Sequence, residues 1–202
     1  MNTIQSPRPN YIRRNLLACL ETALFMQQGP ERFSISKQAM KRSFLIPFLV
    51  LPLTISTMIA AHPDPNLSTG AIHALAIMYG LRTVLYLAGF MGFIYFMAKS
   101  MNRVESFARM VTANNFLVLP AAILMLPLSV AFMNGVYTWA EVYPLMVCIT
   151  LYSYAYTGFM AMHVLNVNKE LAIFVAVASM AINQTALDAM KWIGSQGMML
   201  LA

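Results

Sequence analysis

The chain has 202 residues, 59% hydrophobic and 10% charged, with thirteen Lys and Arg against seven Asp and Glu for a net charge of +6. Soluble domains carry about 25% charged residues, so this composition excludes a solvated globule, which could not cover so much apolar surface with so few polar side chains. The cations flank apolar runs instead of alternating with aromatics, which excludes a nucleic-acid surface and points to anionic phospholipid head groups as the partner.

Residues 1–43 form a basic segment ahead of a membrane domain at 44–202. A secretory signal places its apolar core within roughly the first 15 to 30 residues, whereas the first strongly apolar run here begins at Phe44; the segment is expected to be retained. Within it, NYIRRNLLACLETALFMQQ spaces Ile12, Leu16, Leu20 and Leu24 four apart, with Leu17 alongside and Arg13 and Arg14 toward another face. That spacing predicts an amphipathic helix. It lies either at the membrane interface, with its arginines on anionic lipid, or against the ends of the helix bundle. Gly29 and Pro30 are expected to break the chain, after which Ser34 or Ser36 caps a second basic helix carrying Lys37, Lys41 and Arg42 into the first span.

A spanning helix needs roughly 20 predominantly apolar residues, because no water in the bilayer core satisfies open backbone groups. Five segments qualify, at 44–61, 74–98, 115–133, 142–164 and 171–190. The fold class is therefore all-α: a polytopic bundle of five transmembrane helices preceded by an amphipathic helix. HPDPNLSTG, NGVYTWAE and NVNKE supply the turns after the first span, after the third and before the fifth. Lys and Arg set the direction, since cytoplasmic loops retain them. Seven precede the first span, Lys99, Arg103 and Arg109 occupy the second loop, Lys169 the fourth, and the first and third loops have none. An inside N-terminus and an external C-terminus put eleven of the thirteen on the cytoplasmic side, with Lys191 outside and Arg82 within a span. Arg13, Arg14, Lys41, Arg42, Lys99, Arg103 and Arg109 are the expected head-group contacts.

Arg82 is the least comfortable residue, because YGLRTVLYLAGF surrounds it with apolar neighbours and charge within a span is costly. Helical rise places it about 25 Å from Lys99, and Asp188 about 27 Å from Glu170. The two should reach similar heights near the outer face. Either they form an ion pair or a shared polar cluster, with Asn183 and Gln184 as further partners, or Arg82 snorkels to the outer head groups. Pro47, Pro52, Pro120 and Pro127 remove helix hydrogen bonds where they lie inside a helix; they shape packing, or free carbonyls for ions as in some transporters. Ala88, Gly89 and Gly92, with Ala172, Ala176 and Ala178, suit close helix approach within the chain or in a homo-oligomer. Tyr152, Tyr154 and Tyr156 each require a hydroxyl partner.

Cys19 and Cys148 are too few and too far apart for a disulfide scaffold or a CxxC site and are read as packing residues. His62, His73 and His163 are isolated, without a metal-ligand spacing. There is no nucleotide-binding glycine motif and no local Ser or Cys triad. No catalytic residue, cofactor or metal ligand is assigned.

The stretch FMAKSMNRVESFARMVTANNFLVLP, residues 96–120, joins an apolar span, a short basic elbow, SFARM, and then NNFLVLP. This succession resembles the Yip domain (Ypt-interacting protein family), where a phenylalanine-containing elbow between spans two and three leads into a span with an early LP. GPERF is similar to the Pro and Phe just ahead of the first span in bacterial members. The resemblance covers residues 29–190, with Pro30, Phe33, Phe107 and Pro120 as structural markers. The eukaryotic DLYGP motif is missing, so Rab GTPase binding does not carry over. A bacterial-type member implies a polytopic inner-membrane protein with no established reaction.

The first functional expectation is a non-enzymatic membrane protein that organises lipid or protein partners through its basic cytoplasmic face. The second is a small-solute or ion transporter or channel, supported by the prolines and by the cluster of Asn183, Gln184, Thr185 and Asp188. A third, an intramembrane enzyme, requires convergent ionisable groups. Arg82 and Asp188 lining a cavity favours transport; the same residues closing a packed interface favours the scaffold.

Overall fold

A computed structural model of the chain describes residues 11–61 and 68–201. Among these, every regular element is helical. Five helical segments are long and apolar enough to cross a membrane, at Lys37–Ala61, Thr69–Ser100, Val104–Met133, Trp139–Val164 and Lys169–Ser195. The protein is an all-α polytopic bundle. Arg8, His62 and most of the turn expected at HPDPNLSTG lie outside the described residues.

The polar N-terminal segment folds as α1 (Tyr11–Ala23) and α2 (Gln28–Arg32), which pack together as a hairpin. The chain breaks at residues 24–27, earlier than Gly29 and Pro30, both of which lie inside α2 and are buried. A Cβ at Gly29 would lie 2.5 Å from the Thr22 amide nitrogen, so a glycine lets the two helices touch. Arg32 pairs with Glu21 at 2.6 Å across the hairpin. Ser36 caps α3 (Lys37–Ser43), accepting from the Gln38 and Ala39 amides.

The first and third spans are each broken in two. The first runs as α3 and then α4 (Leu45–Ala61), with the break at Phe44; the third as α6 (Phe107–Phe116) and α7 (Val118–Met133), with the break at Leu117. Each break lies three residues before a proline, Pro47 or Pro120, whose ring crowds the preceding turn and whose nitrogen has no proton for it. Both prolines thereby fall in the first turn of the following helix, where that loss costs little; Pro52, Pro127 and Pro144 lie in helix interiors. Pro120 leaves the Phe116 carbonyl without its amide, and the Cys19 thiol donates to it at 3.1 Å. Tyr156 donates to the Leu117 carbonyl at 2.6 Å. Neighbouring helices thus satisfy the carbonyls at this break. The two broken spans lie side by side, α3 on α6 and α4 on α7, and Asn115 donates to Ser43 at 2.9 Å between the residues just ahead of the two breaks.

The remaining spans are α5 (Thr69–Ser100), α8 (Trp139–Val164) and α9 (Lys169–Leu201). The loop expected over Lys99 to Arg109 is shorter than its polarity suggests: after a turn at Met101–Arg103 and one 3-10 turn, Val104–Ser106, the helix begins at Phe107. Four helices end alike. After α1, α5, α7 and α8, the residues Phe25, Asn102, Gly135 and Asn166 adopt positive φ. In each case the following amide reaches back to the last turn, as in Met26 to Glu21, Arg103 to Ala98, Val136 to Ala131 and Val167 to Met162. These are Schellman caps, which reverse the chain within a few residues.

Buried apolar side chains concentrate at the end of the bundle that carries Lys99, Arg103 and Lys169, hereafter the basic end. There Phe33, Phe90, Ile94, Met110, Phe116, Met160 and Val175 form one core. Elsewhere the spans turn Leu49, Ile77, Ile123 and Leu151 outward, the distribution expected of helices solvated by lipid.

Candidate functional site: an intramembrane polar cavity

The helix α1 packs on α6 and α8 through Asn15, Ala18, Cys19 and Thr22, all buried, and directs Ile12, Leu16, Leu20 and Leu24 outward. The helix is therefore docked on the bundle, as one of the two sequence readings expects, but by its small and polar face, and it presents its oily face outside. Tyr152 in α8 donates to the Ala23 carbonyl, and Phe25 packs edge-on against Tyr152 and Phe159 with centroids 5.7 and 5.4 Å away.

Beyond the core at the basic end, the five spans separate around a cavity of ≈ 240 Å³. Its wall includes Pro47 and Thr54 of α4, Arg82 and Tyr86 of α5, Asn114 of α6, Ala121 of α7, Ser153, Tyr154 and Thr157 of α8, and Ser179 and Asn183 of α9. The polarity of this wall inside an apolar bundle is the feature that distinguishes it from a packing gap, since empty cavities in cores are apolar.

Arg82 organises one side. It lies about 20 Å from the Thr69 end of α5 by helical rise and turns inward, where Nη2 donates to Asn183 Oδ1 at 3.0 Å. Asn183 Nδ2 in turn donates to the Tyr154 hydroxyl at 3.0 Å, and the Arg82 guanidinium carbon lies 5.9 Å from the centre of the Tyr79 ring. The second side is organised by Tyr86, which donates to Asn114 Oδ1 at 3.3 Å and bonds Ser179 Oγ at 3.0 Å. Three spans, α5, α8 and α9, thus meet through the chain Arg82, Asn183, Tyr154.

Of the expected cluster, Arg82 and Asn183 come together and Gln184 and Asp188 do not join them. Asp188 is exposed and accepts from Gln184 Nε2 at 3.2 Å along its own helix. The reason is register. Asp188 lies about 7.5 Å further along α9 than Asn183 and about 140° around it, and Arg82 meets Asn183, so equal counts from the two basic ends do not bring the two charges together. Among the described residues Arg82 has no carboxylate partner, and the ion pair is the one between Glu21 and Arg32. Its Nε is buried without a hydrogen-bond partner. Arg82 is thus held by one amide oxygen and one ring face, within a span, where insertion scales give a cost of about 3 kcal/mol for an arginine at the helix centre.

The expected head-group cations divide. Arg13, Arg14, Lys41, Arg42 and Lys99 are exposed. Arg103 is instead committed to the fold, its Nη1 donating to the Leu165 and Asn166 carbonyls that end α8, where a cation also complements the helix dipole. Arg109 is half-buried, with its Nε buried and unpartnered. Among the small residues, Gly89 faces Ile182, and Gly158 faces Ala172 and Ala176, so close approach of α9 to α5 and α8 is intramolecular; a Cβ at Gly92 would meet nothing within 4 Å. Sequence reasoning missed Asn114, Tyr86 and Ser179. The signal available was Asn114 beside Asn115 in a helix otherwise bound for lipid.

No family model, curated protein or solved structure matches this chain.

Proposed function

We propose that this protein binds a small polar solute in the cavity between its five spans, as a carrier or as a membrane-embedded binding protein. One observation carries the reading: the cavity is walled by residues of every span and contains an arginine that no carboxylate among the described residues neutralises. A membrane protein that served only as a scaffold gains nothing from holding an open, polar, positively charged space among its helices, whereas broken helices around a polar midplane site suit solute binding. The positive-inside count places the N-terminus and the turn at Met101–Arg103 in the cytoplasm and the residue 135 turn outside, in the inner membrane on a bacterial Yip-type reading, a membership proposed on the sequence resemblance alone.

The test is co-purification. Protein captured from native membranes in mild detergent is analysed by mass spectrometry beside Ala121→Phe, which fills the cavity without removing a polar group. A solute retained by the natural protein and missing from the variant supports binding. An identical small-molecule content in both, with a stable protein partner captured by each, supports the alternative, an organiser of lipid or protein partners. That alternative draws on the outward Ile12, Leu16, Leu20 and Leu24 face of α1, flanked by the exposed Arg13 and Arg14, which suits an anionic membrane surface.

A further inference from the structure

We propose that the cavity recognises a small monoanionic oxyanion that carries a neighbouring hydroxyl or amino group, with the oxyanion against Arg82 and Tyr154. The inference rests on reading the cavity as a binding site and adds the chemistry of its ligand.

The donors and acceptors on the wall are unevenly placed, and the unevenness defines the ligand. On the Arg82 side there are donors. Asn183 Oδ1 takes a single Arg82 proton at 3.0 Å; Nε is sealed from the cavity, and the second Nη2 proton and the Nη1 protons are the donors left for a ligand. Tyr154 accepts from Asn183, so its own O–H proton is free. A guanidinium presents its donors as a planar fork that matches the two oxygens of a carboxylate or phosphate.

Around these donors the wall offers acceptors. Thr83, Ser153 and Thr157 donate their hydroxyl protons to the carbonyls of Tyr79, Thr150 and Ser153 in their own helices, at 2.9, 2.6 and 2.8 Å. Only lone pairs remain to face the cavity. A ligand with an oxyanion alone would leave those acceptors unmet; one with an added O–H or N–H satisfies both. A volume of ≈ 240 Å³ corresponds to about eight water molecules, which admits a small hydroxy or amino acid, or the phosphoglycerol head of an anionic lipid.

The experiment measures thermal unfolding of the purified full-length protein in nanodiscs of phosphatidylcholine. Titrants are lactate, propionate and the neutral propionamide, with Arg82→Gln, Arg82→Lys and Ala121→Phe alongside the natural protein. The expected result is a saturable rise in melting temperature with lactate and a response to propionate about threefold weaker, for the missing hydroxyl. Propionamide should have no effect. Apparent affinity for lactate should fall at least about tenfold in Arg82→Gln, with Arg82→Lys intermediate because charge survives and the fork does not. If phosphatidylglycerol in the disc stabilises the natural protein and abolishes the lactate response, the oxyanion site stands and a lipid head group is its source. Propionamide matching lactate, or an Arg82→Gln response equal to the natural one, overturns the oxyanion assignment; loss of that response in Ala121→Phe would then leave the cavity as a binding site for neutral solutes. Equal responses in the natural protein and Ala121→Phe overturn both.

Discussion

Cys19 shows how a side chain with no catalytic setting can still hold the architecture. It is 2% exposed, donates to the Phe116 carbonyl left open by Pro120, and its thiol is pushed up to about 12 by burial. A group whose pKa is raised on folding holds its proton more tightly in the native state. Its stabilising contribution is therefore complete below the unfolded value of about 8.5 and is lost as pH rises from there toward 12. At pH 8 burial keeps the thiol protonated, and the thiolate is the nucleophile. In a Cys148→Ala background, Cys19 is expected to stay unlabelled by N-ethylmaleimide in mild detergent at pH 8, and to react rapidly once the protein is unfolded in dodecyl sulfate. Rapid native labelling would show that α1 does not dock as described. Of the residues around Pro120, the sequence made the proline visible but not the thiol that answers it, because the two are brought together only by folding.

Chain reversals make the same point for whole elements. Asn102, Gly135 and Asn166 are residue types that accept positive φ readily, and their places after apolar runs are readable as helix ends. Phe25 is not readable in that way: a bulky residue in the left-handed region carries strain, and here its ring is wedged between Tyr152 and Phe159. The helix α1 is thus ended by tertiary packing at Phe25, where local preference marked Gly29 and Pro30. Replacing Phe25 by Gly or Ala removes the same ring contacts, but Gly relieves the backbone and Ala does not. Phe25→Gly is expected to be more stable than Phe25→Ala by about 1 kcal/mol, measured by thermal unfolding in detergent; the reverse order would place Phe25 in an ordinary conformation. The existence of five spans was legible from hydropathy alone. The breaks at Phe44 and Leu117 were not, since prolines in a sequence do not say whether they interrupt a helix or begin one.

For the molecule as a whole, the bundle divides into a packed basic end, closed by α1, α2, α3 and α6, and a region where five spans stand apart around Arg82. Arg82 was recognisable as out of place from its apolar neighbours. Its partner was not, because matching depths on two helices requires knowing their relative offset, and an error of about 7.5 Å exchanges Asn183 for Asp188. No carboxylate among the described residues neutralises the charge, and on the binding reading a solute or water that enters the cavity beside it supplies the neutralisation.

The most direct measurement of this claim is the reactivity of a cysteine placed on the cavity wall. Ser153→Cys, in a background of Cys19→Ser and Cys148→Ala, is treated in sealed membrane vesicles with a small, membrane-impermeant methanethiosulfonate, beside Ile173→Cys on the outward face of α9. Modification of the cavity cysteine from one side of the membrane, with the outward-facing one inert, is the expected result. A cavity cysteine as unreactive as its lipid-facing counterpart from both sides would contradict a solvated binding site and leave Arg82 in a closed bundle.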